Sequence, residues 1–368
     1  MTRSEGEERR WLSSSIRGEA PPLPAELGQN LLRTAIAEGV DGLVAPSVLS
    51  GKSFNKEELQ EWSAAASARA ALDAVRHEEL VRISRWWRKA GLEPLVLKGG
   101  ALAYTHYLDP WQRPQDDLDL WCDEDAAPRL MSGLASLGYT HVTATNSEAT
   151  HQRLFVRTGG SGIVHQVEIH LRIANPALFS TALTFPDARA EAVPIPQLDG
   201  VLTLSPAHSL LLACVHRVAH HFNSRRLIWL YDIHLLAGAL REAEWERFVK
   251  AARRAGMLTV CHAGLSAARD EFRTEVPPSV WDAMSALPVE AADVFLKEGI
   301  REATIQWLNF KHASSWQARA VLLWTRLFPS ADFMLERYGV RNRTWLPLLY
   351  AHRVVSRLPK WFVPYAPR

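Results

Sequence analysis

From Glu57 to Ala90 apolar residues recur every three or four positions among strong helix formers, which predicts one long helix ended by Gly91. A break at Pro21, Pro22 and Pro24 precedes an earlier helix, and Pro46 to Phe54 reads as a loop. Beyond Gly91 the period changes. Pro94-Leu95-Val96-Leu97 is a short buried strand, and Gly99-Gly100 turns it into a helix from Ala101 to about Tyr107. Leu118–Trp121 is a second strand, and Asp123–Leu137 a helix with acidic residues in its first turn, closed by Gly138. Leu154–Arg157 and Ile163–Ile173 alternate as strands around Thr158-Gly159-Gly160-Ser161-Gly162. The helical period returns at Ala207–Phe222, Leu227–Leu240, Glu244–Ala255 and Leu258–Phe272, with short links as in a bundle. The order predicts an α+β chain. A small mixed β-sheet core at 91–200 stands between an N-terminal helical region, 1–90, and a C-terminal helical domain with a basic tail, 201–368.

Composition narrows the class. Apolar residues make up 47% of the chain, enough for a sizeable core. A net charge of +2 argues neither for nor against nucleic acid. Cys122, Cys214 and Cys261 lie far apart with no Cys-x-x-Cys pairing, which suits reduced thiols rather than a disulfide framework or a zinc site. No apolar run is long enough to span a membrane, and the charged start MTRSEGEERRWL lacks a signal-peptide core, so a cytoplasmic location is expected. Between Glu336 and Arg368 the basic residues are Arg337, Arg341, Arg343, Arg353, Arg357, Lys360 and Arg368. With Trp345, Trp361 and Phe362 this tail has the make-up of a peripheral membrane contact, although a solvated basic face is the commoner outcome.

The chemistry concentrates in LVLKGGALAYTHYLDPWQRPQDDLDLWCDED. Residues two apart in a strand share a face, so Asp117 and Asp119 point together while Leu118 and Leu120 point into the core. Two unit charges 4 Å apart repel by about 4 kcal/mol at an effective dielectric of 20. A fold tolerates that with a cation between them or a proton on one. Mg²⁺ or Mn²⁺, hard and oxygen-liganded, is the expected cation. In the later strand Val167, Ile169, Leu171 and Ile173 form one face and Glu168, His170 and Arg172 the other. If that strand lies beside Asp117–Asp119, Glu168 completes a three-carboxylate site able to align a hydroxyl with a phosphorus. Gly99 and Gly100, at a helix start, offer backbone N–H groups to a phosphate; Lys98 and Arg113 offer charge to the same anion.

The run Leu97-Lys98-Gly99, Tyr107, Arg113-x-x-x-Asp117-Leu118-Asp119-Leu120, Gly138-Tyr139 and Val167-Glu168-Ile169-His170 resembles the uncharacterised nucleotidyltransferase family of the DNA polymerase beta-like superfamily. The likeness extends over most of the chain, to a His-rich helix followed by Trp229-Leu230-Tyr231-Asp232. It implies a polymerase-beta-like fold and transfer of a nucleoside monophosphate from a nucleoside triphosphate, ATP among them, to an acceptor hydroxyl. It also implies metal binding by Asp117, Asp119 and Glu168, donor-phosphate binding by Gly99 and Gly100, and an acceptor pocket bordered by His220 and Asp232. One departure is the interval Ala101 to Asp116, 16 residues, longer than the superfamily's usual spacing between glycines and first Asp.

Plainer readings stand beside these. Asp116 has the opposite parity and reads as a turn residue, and His170 as either a pocket residue or a hydrogen-bonded histidine fixing the neighbouring carboxylate. His216 and His220, four apart on a helix, could hold zinc with Asp232 in a metal-dependent hydrolase, but packing histidines are the commoner case. A nucleotide-binding scaffold without turnover is a further alternative. A small-molecule acceptor is expected ahead of RNA or protein. Trp86-Trp87 has no place in the apolar pattern.

Overall fold

Three helices lead into the sheet of the computed structural model, which describes residues 3–19, 28–44, 54–142, 151–285, 289–297, 300, 302–313, 316–329, 331–340 and 342–357. The proline break at Pro21–Pro24, the loop from Pro46, and Arg341, Lys360, Trp361, Phe362 and Arg368 of the tail lie outside the described residues. The helices are α1 (Arg3–Ile16), α2 (Gly28–Glu38) and α3 (Lys56–Lys89). Asn55 and Glu58 form a reciprocal cap at the start of α3, and Gly91 follows its end at φ +64°, a conformation glycine adopts without a Cβ penalty. The buried stripe Leu80, Ile83 and Trp87 packs α3 on the sheet. Trp86 lies against α5 (Ala127–Ser136), where a Cβ on Gly133 would stand 1.7 Å from its ring. That resolves the tryptophan pair: one ring fills the core and the other needs a glycine opposite.

The sheet has seven strands in the order β3-β4-β5-β2-β1-β7-β6. They are β1 (Leu95–Val96), β2 (Leu118–Trp121), β3 (Thr140–Val142), β4 (Gln152–Thr158), β5 (Val164–His170), β6 (Val193–Pro194) and β7 (Leu202–Thr203). Helix α4 (Lys98–Thr105) links β1 to the segment before β2. Strand β2 runs parallel to β5 and antiparallel to β1, so the sheet is mixed and the chain α+β, as the pattern predicts. Strands β3, β6 and β7 are additions to that pattern; at two or three residues they are too short to alternate visibly. Glu79 of α3 ties helix to sheet, taking Arg82, Arg157 of β4 and the Tyr139 hydroxyl at 2.5–3.1 Å.

After two short helices, α6 (Ala177–Ser180) and α7 (Phe185–Ala190), come α8 (Pro206–Ala219), α9 (Leu227–Ala239), α10 (Glu242–Ala255) and α11 (Leu258–Phe272). They pack on one another, and their core also takes Trp11, Leu12 and Leu31 from α1 and α2. Helices from both ends of the chain thus share one interior, which packs on the central strands β1 and β2 through Leu95 and Trp121.

Candidate active site

Strand β2 carries its acids where the alternation requires. Leu120 is fully buried, Asp119 faces the other way, and the β2–β5 register sets Asp119 directly opposite Glu168. Asp117, just before β2, lines the same cavity of about 410 Å³ as Asp119 and Glu168. All three acids thus line one cavity, with Asp119 and Glu168 direct neighbours across the two strands. Lys98 Nζ lies 2.8 Å from Asp119 Oδ1, and His170 Nε2 lies 2.5 Å from that oxygen and 3.2 Å from Glu168 Oε2.

The charges sort unevenly. Burial opposes ionisation of Asp119, but Lys98 and His170 together hold its carboxyl well below the usual carboxylate range. Asp117 lacks such partners. Burial, then the charge of Asp119, push it up to about 6 against the pull of Lys98. Burial and Lys98 oppose protonation of His170, and Asp119 and Glu168 outweigh them, so its pKa rises. One acid of the cluster is locked as an anion and its neighbour resists becoming one.

Lys98 differs from its expected place on a phosphate: its ammonium is paired with Asp119. Its backbone is in the left-handed region at φ +50°, a strained conformation for a residue with a Cβ, held at the turn from β1 into α4. Gly99 lines the cavity, and a Cβ there would stand 3.1 Å from Arg113 Nη1. Gly100 is buried; a Cβ would press on Val96 and Leu118 at 3.2 and 3.3 Å, which accounts for that glycine by packing on the sheet. The N-terminal turn of α4 has no side-chain cap, leaving its first N–H groups for another acceptor.

Arg113, also expected at the anion, is committed elsewhere. Its Nε and Nη2 bind Asp232 at 2.9 and 2.8 Å, and Tyr107 donates its hydroxyl to the same carboxylate at 2.7 Å. This pins the segment between α4 and β2 onto α9. Asp232 is thereby occupied, and that corrects the hydrolase reading. His216, His220 and Asp232 all line the cavity, but among the described residues the one group placed to share a metal is Asp119, Glu168 and His170, with donor atoms within 4.8 Å.

The same cavity has an aromatic wall. His221 stacks on Trp229 at 3.7 Å between ring centroids, and His216 stacks on His220 at 5.0 Å. Burial, reinforced by Lys98, lowers all three histidines: His216 well below its ordinary value, His220 to about 3 and His221 to about 4. The wall is uncharged at neutral pH. Trp229 and His221 were missed as site residues because helical spacing among aliphatics reads as core. Gln152, also on the cavity, was missed for another reason. It pairs with His170 across the β4–β5 hairpin, and extending that register two residues upstream of Leu154 finds it.

The uncharacterised nucleotidyltransferase family matches residues 25–273, and the chain belongs to it. It is accordingly an enzyme of nucleotidyl transfer. No curated protein matches the chain.

Proposed function

We propose that the enzyme moves a nucleoside monophosphate from a nucleoside triphosphate, ATP among the candidates, to a hydroxyl of a small-molecule acceptor, using Mg²⁺ or Mn²⁺. The observation that carries this reading is the pairing of Asp119 with Glu168 across adjacent parallel strands, with Asp117 on the same cavity. The donor set suits the metal, since three carboxylates give a hard cation the oxygens it prefers and leave room for phosphate oxygens and water. Asp117, Asp119 and Glu168 would hold it, and when bound it would neutralise the triphosphate and polarise the reacting phosphorus.

The acceptor oxygen attacks the α-phosphorus, forming the new P–O bond. The bond to the bridging oxygen of the β-phosphate breaks, and pyrophosphate leaves with that electron pair. Glu168, part-exposed where Asp119 is buried, receives the acceptor proton. Gly99, Gly100 and the free N–H groups of the first turn of α4 hold the triphosphate, and Lys98 can turn from Asp119 to the phosphates. The wall of His220, His221 and Trp229 borders the acceptor. A cavity of about 410 Å³ fits a nucleotide with a small partner better than a macromolecular end.

Among the described residues no helix is long and apolar enough to cross a membrane. Cys122, Cys214 and Cys261 are free and buried, which favours the reducing cytoplasm. The test is incubation with each labelled triphosphate, Mg²⁺ and a panel of hydroxylated metabolites. Pyrophosphate release that disappears in Asp117→Asn is expected. Nucleotide binding without release across the panel would favour a scaffold, and full activity of Asp117→Asn would reject the assignment.

A further inference from the structure

His170 has two ring nitrogens, and which of them carries hydrogen decides what it can do beside the acids. The structure fixes this from an unambiguous starting point. The backbone N–H of His151 can only donate, and it points at Asn175 Oδ1 at 3.3 Å. The other arm of that amide, Nδ2, therefore donates to Gln152 Oε1 at 2.6 Å. Gln152 in turn directs Nε2, a donor, at His170 Nδ1 at 3.1 Å. Facing that donor, Nδ1 accepts in the neutral ring, whose one hydrogen then resides on Nε2, 2.5 Å from Asp119 Oδ1 and 3.2 Å from Glu168 Oε2.

We propose that Gln152 and Asn175 are positioning residues. They hold His170 as an N–H donor to Asp119 and Glu168, which keeps the imidazole out of the cation's ligand set and reserves the site for hard, oxygen-liganded metals over zinc. The inference rests on the three-carboxylate reading above. Ligand spacing alone would admit His170 as a third metal ligand beside the two acids, and imidazole with carboxylates is a donor set zinc accepts readily. The direction of the hydrogen bonds removes it, because an N–H has no lone pair to give. His170 is fully buried, so the ring cannot exchange its partners for water. Outer residues of this kind commonly shift metal affinity 10- to 100-fold.

The test uses the full chain with Mn²⁺ or Zn²⁺ alone as probes, and ¹⁵N-histidine NMR with His170→Asn to assign the signal. The wild type should show the Nε2–H form of His170, unchanged as a non-ligand when either metal is added. In Gln152→Met the ring should lose its single tautomer, and affinity for Zn²⁺ relative to Mn²⁺ should rise about tenfold or more. Asn175→Ala, one step further back, should move both readouts the same way by less. A wild-type His170 that ligates either metal overturns the proposal. So do variants that keep the wild-type circular dichroism, tautomer and metal ratio. A wild type that binds neither metal rejects the carboxylate reading, while the NMR signal still judges the relay.

Discussion

Asp117 and Asp119 are two residues apart and chemically identical, yet their surroundings give them opposite effects on stability. Asp119 is nearly fully buried between Lys98 and His170, so Asp119→Asn leaves a buried cation without its partner. Loss of one member of a buried pair costs about 3–5 kcal/mol, and thermal unfolding of this variant should show a clear destabilisation. Asp117 is the reverse. Its carboxyl is raised from 3.8 to about 6, so the folded state binds a proton more tightly than the unfolded chain. That favours folding at low pH and penalises it as pH rises through 6. Metal-free Asp117→Asn should gain roughly 1–3 kcal/mol at pH 7.5, a gain that fades by pH 4. Both variants should lose transfer. Repulsion between the two acids does not by itself predict this difference, because the sequence does not reveal that Lys98 and His170 turn towards Asp119.

Among the elements, the segment between α4 and β2 carries Arg113 and the first acid, and it is held by the buried Asp232 carboxylate on α9 and by Arg76 of α3, which donates to the Gln115 carbonyl. Asp232→Asn keeps the shape but removes the charge facing Arg113 and Tyr107. It should destabilise the protein by about 3 kcal/mol in denaturant titrations and lower transfer by displacing Asp117, while Tyr107→Phe should cost about 1 kcal/mol. The strand alternation at Asp117–Asp119 and Val167–Ile169 was legible in the sequence, because a two-residue period and an apolar opposite face leave few alternatives. Most long helices were legible to within a few residues from their own period of three to four residues. Partner choice was not. Arg113 was expected at an anion and is bound to Asp232, 119 residues away, and periodicity carries no information about such distant pairs. Gln152 and Asn175 show no pattern of their own and acquire meaning once β4 and β5 are paired.

For the whole molecule, the site lies where the sheet meets the helices after it, and both sides contribute to its walls. That junction buries His216, His220 and His221 uncharged. Their folded pKa values lie below 6.5, so the unfolded chain takes up protons first as pH falls. Stability should therefore be full above about 6.5 and decline through pH 4, read as a falling urea midpoint at pH 7.5, 6 and 5. His221→Gln, which removes one of the three groups, should flatten that decline between pH 6 and 4; an unchanged slope would contradict the burial of a neutral ring.

The central claim is that Asp117, Asp119 and Glu168 share a divalent cation beside a triphosphate. A crystal soaked with Mn²⁺ and a non-hydrolysable nucleoside triphosphate, measured for anomalous scattering, tests it most directly. The account predicts manganese bound by these three carboxylates and by phosphate oxygens, with the triphosphate against the first turn of α4. Manganese bound instead at His216 and His220, or a triphosphate seated away from the acids, would contradict it.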